Sequence, residues 1–280
     1  MRRFCISAAA LLTGLLTFEA HSLAEIVEGR RDVPPVSEQA MGKVAVRRGV
    51  QGPAGLFTAR VNLLVNASNS SFGKPTSLAP DLFYALSDTV QIGLLHTGPM
   101  GWQSHPGFGL CLTGKSNRCP KVYDNVGLDL MYGLLFGDFH LSLHSSLYLL
   151  PISDPTGVMW TLGFTGKFHF TNLVALYFDP QVGVMLSHRD VYEDQLFIPL
   201  ELQFQATPAV ALKVLSGVSG QLSNLGDTSQ VPLGLGLVGN VNSNVDIGLR
   251  LSFDNLLGHQ TPGSSRTDIR SIGLLLTIRT

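Results

Sequence analysis

The chain has 280 residues, of which 45% are hydrophobic and only 14% charged, with 19 Lys and Arg against 20 Asp and Glu and a formal net charge of −1. A soluble domain usually carries about 25% charged residues, so polar surface is scarce here, and abundant apolar residues with little net charge oppose intrinsic disorder. The near-neutral balance gives no basic field for a phosphate backbone, which removes nucleic acid as a partner. No stretch beyond the N-terminus reaches the roughly 18 unbroken apolar residues of a membrane-spanning helix. The apolar surface therefore has to be hidden in a large core or in lipid.

Taken in chain order, the first residues set the compartment. Arg2 and Arg3 precede a short apolar stretch from Ile6 to Phe18, and Ser22 and Ala24 supply small residues at the two positions a signal peptidase inspects. Residues 1–24 read as a secretory signal, because the apolar stretch is too short to span a bilayer and is broken by Thr13, Gly14 and Thr17. Its removal takes away Arg2, Arg3, Glu19 and Cys5. Cys111 and Cys119 remain, in a polar Gly- and Pro-containing stretch of an exported chain, and a disulfide between them is expected to contribute roughly 2–3 kcal/mol on the chain-entropy model. Zinc is not expected, since the spacing lacks a second ligand pair.

Residues 25–54 are polar, contain Pro34-Pro35 and show no sustained period, so they read as a periplasmic leader or partial plug. From Leu56 the texture changes to strict alternation: Phe57, Ala59, Val61, Leu63 and Val65 alternate with Thr58, Arg60, Asn62, Leu64 and Asn66. The same period of 2 recurs in segments near 56–66, 78–87, 89–97, 123–135, 139–149, 157–168, 173–185, 195–206, 209–218, 230–240, 245–254 and 268–279. Connections alternate between tight turns, such as Ser87-Asp88 and Thr207-Pro208, and generally longer loops. An even strand count with alternating short and long connections predicts an all-β fold over residues 55–280: a transmembrane antiparallel up-and-down β-barrel of about 12 strands. Closure satisfies every backbone hydrogen bond without water, lipid takes the apolar alternate residues, and the lumen takes the polar ones. A soluble sandwich also alternates, but its strands are usually about five or six residues long, whereas about ten match a tilted bilayer crossing.

Two segments, Leu78 to Leu94 and Val245 to Leu256, resemble the strand-turn-strand units of proteobacterial outer-membrane β-barrel proteins, including poorly characterised ones. The resemblance covers about residues 55–280 and implies residence in outer-membrane lipid and handling by the barrel-assembly machinery. At the C-terminus Ser271 and Gly273 fit that family's assembly signal, while Leu276 and Ile278 stand where aromatics are usual.

The alternation assigns Arg60, Asp81, Asp129, His140, His144, Lys167, Glu201, Lys213, Asp246 and Arg250 to the lumen. Their balanced signs argue against strong ion selectivity and admit internal salt bridges. The outward aromatics Phe57, Tyr84, Tyr132, Trp160, Phe168, Phe178 and Phe253 suit a lipid-interface girdle. Gly234, Gly236 and Gly239 spell GxGxxG, but no helix follows to bind a phosphate, so small residues easing lumen packing explain them better. His188, Arg189, Asp190, Glu193, Asp194 and the strand-end Asp179 read as solvated charges. Three functions follow in order: a passive porin-like channel for a small solute, a structural or surface-interaction protein without conduction, and a membrane-embedded hydrolase. The hydrolase rests on His140 and Ser142, which share a face, as the reactive residues of the twelve-stranded outer-membrane phospholipase A do; that family's pair faces lipid, however, whereas these two face the lumen. No catalytic residue, metal ligand or cofactor is assigned. His140 and His144 lie about 13 Å apart along a strand, too far for one ion.

Overall fold

The structure is a computed structural model describing residues 44–68, 71–99, 106–114, 119, 122–152, 155–259 and 270–280. The residues read as an export signal, and those of the expected leader up to residue 43, lie outside the described residues. No helix among the described residues is long and apolar enough to cross a membrane.

Among the described residues fourteen strands follow in chain order: β1 (Phe57–Asn66), β2 (Thr76–Ala85), β3 (Val90–Leu95), β4 (Leu110–Thr113), β5 (Val126–Leu135), β6 (Phe139–Leu149), β7 (Val158–His169), β8 (Val174–Phe178), β9 (Gln181–Met185), β10 (Gln195–Thr207), β11 (Val210–Gln221), β12 (Leu233–Asn240), β13 (Val245–Phe253) and β14 (Arg270–Arg279). Every pairing between them is antiparallel, and β1 bonds both β2 and β14, which closes the sheet on itself. Strands β8 and β9 both lie between β7 and β10 and form one stave. Pro180 divides them because it has no amide hydrogen for the ladder, while its carbonyl still accepts from Phe164 at 3.0 Å. Strand β4 is an extra piece of the β3–β5 connection laid against β2. The result is a closed 12-stave barrel, and each of the twelve alternating segments read from the sequence is one stave.

Alternation sorts the two faces. On β5 the outward Leu128, Leu130, Tyr132 and Leu134 are 63, 48, 48 and 45% exposed, whereas the inward Asp129 and Met131 are 5 and 8% exposed. Leucines dominate the outward face of the other staves as well, in the pattern of a lipid-facing belt. Phe139, Phe168, Phe170 and Phe178 cluster at the outer surface near the short turns. Inside, an apolar group made by Leu95, Tyr148, Met159, Met185 and Phe197, with Leu150 and Tyr192 against it, gathers toward the long loops. Cys111 and Cys119 are disulfide-bonded within the β3–β5 connection.

Residues 44–56 do not continue a stave. They enter the lumen at the short-turn end, where a 3-10 turn at Ala45–Arg47 buries Val46 completely. This strap bonds several staves: Val46 N to Gln205 Oε1 at 3.2 Å, Arg47 to Asn172 at 2.8 Å, Gly52 N to Gln91 Oε1 at 3.3 Å, and Ala54 N to Asp88 at 2.9 Å.

Candidate functional site

Strand alternation turns a row of polar side chains inward from every stave, and the barrel cannot fill its own interior with them. A cavity of about 340 Å³ remains. It runs from the strap (Ala45 and Arg48 to Gly52) past the mid-lumen side chains to Thr97, Gly98 and Pro99 at the start of the long β3–β5 connection. Both signs of charge line it, with Arg48, Arg60, Lys167, Lys213 and Arg279 against Asp81, Asp129, Asp179, Glu201 and Asp246. The count is balanced, but the placement is not.

Three of the carboxylates belong to β2, β5 and the junction of β8 with β9, and their donors are local, although Asp129 Oδ2 is buried without one among the described residues. His144 on β6 bridges two of them, with Nε2 2.7 Å from Asp129 Oδ1 and Nδ1 2.8 Å from Asp179 Oδ1. A carboxylate only accepts, so the ring is the donor at both contacts. Ser146 adds a bond to Asp129 Oδ1 at 2.6 Å. Asp81 accepts from the amides of His96 (2.8 Å) and Thr97 (2.9 Å) and from the Thr97 hydroxyl (2.8 Å), which pins the start of the long connection to the barrel wall.

The cations gather at the strap end. Asp246 on β13 holds both Arg48 of the strap (2.5 Å) and Arg279 of β14 (2.7 Å), and Asn240 donates to its other oxygen at 2.6 Å. Glu201 on β10 pairs with Lys213 on β11 at 2.7 Å and accepts from Gln203. Lys167 on β7 donates to the carbonyl of Ala45 at 3.0 Å, so a stave and the strap are tied through an ammonium. Arg60 on β1 lies over the Phe83 ring, 5.2 Å from its centroid, and faces Asp81 across the β1–β2 register. Arg250 on β13 is half-buried beside the glycine at 273, within electrostatic reach of Glu201 and Asp254. The inward Gly236 leaves room for the stem of Lys213, and Gly234 for Ser252, so these two glycines ease lumen packing as expected, while Gly239 falls on the other face.

The hydrolase pair is not assembled. His140 is 2% exposed, lies edge-on to Phe136 and His169, and sits against Gly49 of the strap. Ser142 is 1% exposed, and its hydroxyl has no partner among the described residues, His140 included. A second arrangement, Ser146 with His144 and Asp179, has the order of a hydrolytic triad, with Ser146 Oγ 3.4 Å from His144 Nε2. Its serine donates to Asp129, however, and that same imidazole nitrogen donates to Asp129 as well, which leaves no free base to activate a nucleophile.

Of the ten lumen positions named from the sequence, the structure puts Arg60, Asp81, Asp129, His144, Lys167, Glu201, Lys213 and Asp246 on the cavity wall. His140 is inward but buried away from it, and Arg250 is inward, half-buried and off the cavity wall. Asp179 corrects the sequence reading: it is 5% exposed and bound to His144, not a solvated strand-end charge. The alternation itself held the signal, since Ala175, Tyr177, Asp179 and Gln181 continue one face through Pro180. Arg48 was missed because the strap has no inward row, whereas Arg279 continues the inward row of Ser271, Gly273, Leu275 and Thr277 on β14 and was legible from the alternation.

No family model matches the sequence, and no curated protein matches it significantly. Solved structures do match. The NanC porin aligns with a TM-score of 0.53 at 4% identity, over 79% of this chain and 98% of that one. An outer membrane channel from Pseudomonas putida F1 aligns with a TM-score of 0.51 at 12% identity, over 82% of this chain and 97% of that one. The chain has the fold of the bacterial outer-membrane β-barrels. Outer membrane phospholipase A from Escherichia coli is also similar in outline, at 11% identity and a TM-score of 0.44 over 79% of this chain and 89% of that one. At these identities the likeness is one of fold, and the chemistry of the lumen has to be argued from its own residues.

Proposed function

We propose that this protein is a passive, porin-like channel for a small solute in the bacterial outer membrane, with residues 1–24 as its export signal and residues 25–54 as a leader whose described part, from residue 44, enters the lumen. The observation that carries the reading is the polar cavity inside a closed, lipid-belted barrel, continuous from the strap to Thr97–Pro99. A barrel built only as a rigid anchor gains nothing from charges left facing empty space, because each costs desolvation that an apolar filling would avoid. The NanC porin and the P. putida channel, whose fold it shares, are channels by name. Under this reading the residues on the cavity wall touch the solute, the long loops face outward and the short turns face the periplasm. The barrel reaches the membrane through the assembly machinery, and no step uses an enzyme mechanism, metal or cofactor.

The second reading, a structural or interaction protein without conduction, is favoured by one observation: the strap occupies the short-turn mouth and is held there by Arg48 and Lys167. Planar-bilayer recording separates the two. The channel reading predicts discrete conductance steps, larger or more frequent once residues 44–54 are removed. Silence from both the full chain and the deleted form would leave the non-conducting reading.

A further inference from the structure

We infer that the strap end of the lumen is a binding subsite for a small oxyanion, a carboxylate or phosphate group. Its use in transport rests on the channel reading, whereas the site itself rests on the arrangement of charges. Five cations face this end against three carboxylates: Asp246 is shared by Arg48 and Arg279, Glu201 is taken by Lys213, and Asp81 lies across the register from Arg60 without an ion pair. Lys167 and Arg60 have no ion-pair partner among the described residues. Lys167 is 4% exposed, uses one of its three hydrogens on the Ala45 carbonyl, and stands within electrostatic reach of Lys213, Arg48 and Glu201. Arg279 keeps a further buried nitrogen, Nη1, without a partner among the described residues.

Asp81 and the remaining lumen carboxylates are engaged elsewhere. Asp129 and Asp179 are both held by His144, and Asp81, the register partner of Arg60 and within its electrostatic reach, makes its hydrogen bonds to His96 and Thr97 and no ion pair with Arg60. Arg60 thus rests on an aromatic face and presents its guanidinium to the cavity. A buried ammonium with like charges beside it is costly unless a counter-charge is supplied. The planar fork of Arg60 and the spare donors of Lys167 and Arg279 match the oxygens of a carboxylate or phosphate. The 340 Å³ available admits a small solute rather than a long polymer segment in compact form.

The test uses the full chain in detergent micelles, titrated with inorganic phosphate at constant chloride and followed by calorimetry. Saturable binding is expected, weakened about tenfold or more by Arg60→Gln and by Lys167→Gln, since a charge-assisted hydrogen bond contributes about that factor. Arg60→Gln is the decisive variant if Lys167→Gln fails to fold, because Arg60 is open to the cavity. Arg189→Gln, in an outer-loop pair with Asp194, should bind as the parent does. Competition by acetate would extend the site to carboxylates, and its absence would restrict the site to phosphate. No saturable binding, or equal binding by Arg60→Gln, would overturn the inference. In bilayers, steps with cation-selective reversal potentials would also overturn it while leaving the channel reading intact. Binding without any conductance would instead remove the channel reading and spare the site.

Discussion

The two walls of the lumen handle their ionisable groups in opposite ways. On the acidic wall the donors come from the same neighbourhood: His144 serves one oxygen each of Asp129 and Asp179, and backbone amides serve Asp81, while Asp129 Oδ2 has no donor among the described residues. On the basic wall the cations outnumber their carboxylates, and part of the binding falls to the strap, whose Ala45 carbonyl and Arg48 side chain enter the network. The acidic wall is therefore a self-contained structural brace. The basic wall is left incomplete by the barrel and is completed by something brought into the lumen, the strap in part and an anion for the rest.

Substitutions can break or sharpen that contrast. The largest loss is expected for Asp246→Asn, which leaves Arg48 and Arg279 buried without their shared carboxylate; stability should fall by about 3–5 kcal/mol in denaturant unfolding followed by heat-modifiable gel migration. His144→Leu attacks the acidic wall in the same way, leaving two buried carboxylates face to face. A loss of about 3 kcal/mol is expected there, and a neutral result would show that the acidic wall is not braced through this ring.

Outside the lumen, Leu130→Arg places a charge on the 48%-exposed outer face of β5. It should cost about 2–4 kcal/mol in a bilayer, with no loss expected if that face meets water. Removing the disulfide by Cys111→Ser should cost about 2–3 kcal/mol at most, measured under oxidising conditions against the parent. The smallest change is the most discriminating. Lys167→Met, measured in phosphate-free buffer, should be neutral or stabilise by about 1 kcal/mol, because it removes an over-supplied buried charge. A loss comparable to that of His144→Leu would mean the two walls are equally self-contained.

Periodicity alone located the twelve staves and their inward faces, because a barrel in lipid enforces alternation at nearly every position. It was blind where the chain departs from that rule. Pro180 splits a stave without disturbing the face pattern, and β4 pairs inside a long connection whose sequence does not alternate. The strap shows no period at all, since its order comes from bonds to side chains distant in sequence, such as Gln205 and Asp246. Charge tells the same story: the sequence displays signs and faces, and a balanced count suggested weak selectivity. Which carboxylate meets which cation depends on stave tilt and register, and those decide that the acids are consumed on one wall and the bases left over on the other.

The central claim is that solute passes through the lumen along these walls. Asn62 lines the cavity, whereas Leu130 faces outward. The direct measurement is the conductance, in planar bilayers, of Asn62→Cys and Leu130→Cys placed in the form lacking residues 44–54, before and after a charged, water-soluble thiol reagent. A lumen path predicts that Asn62→Cys is blocked and Leu130→Cys unchanged. Conductance indifferent to modification at Asn62 would contradict it.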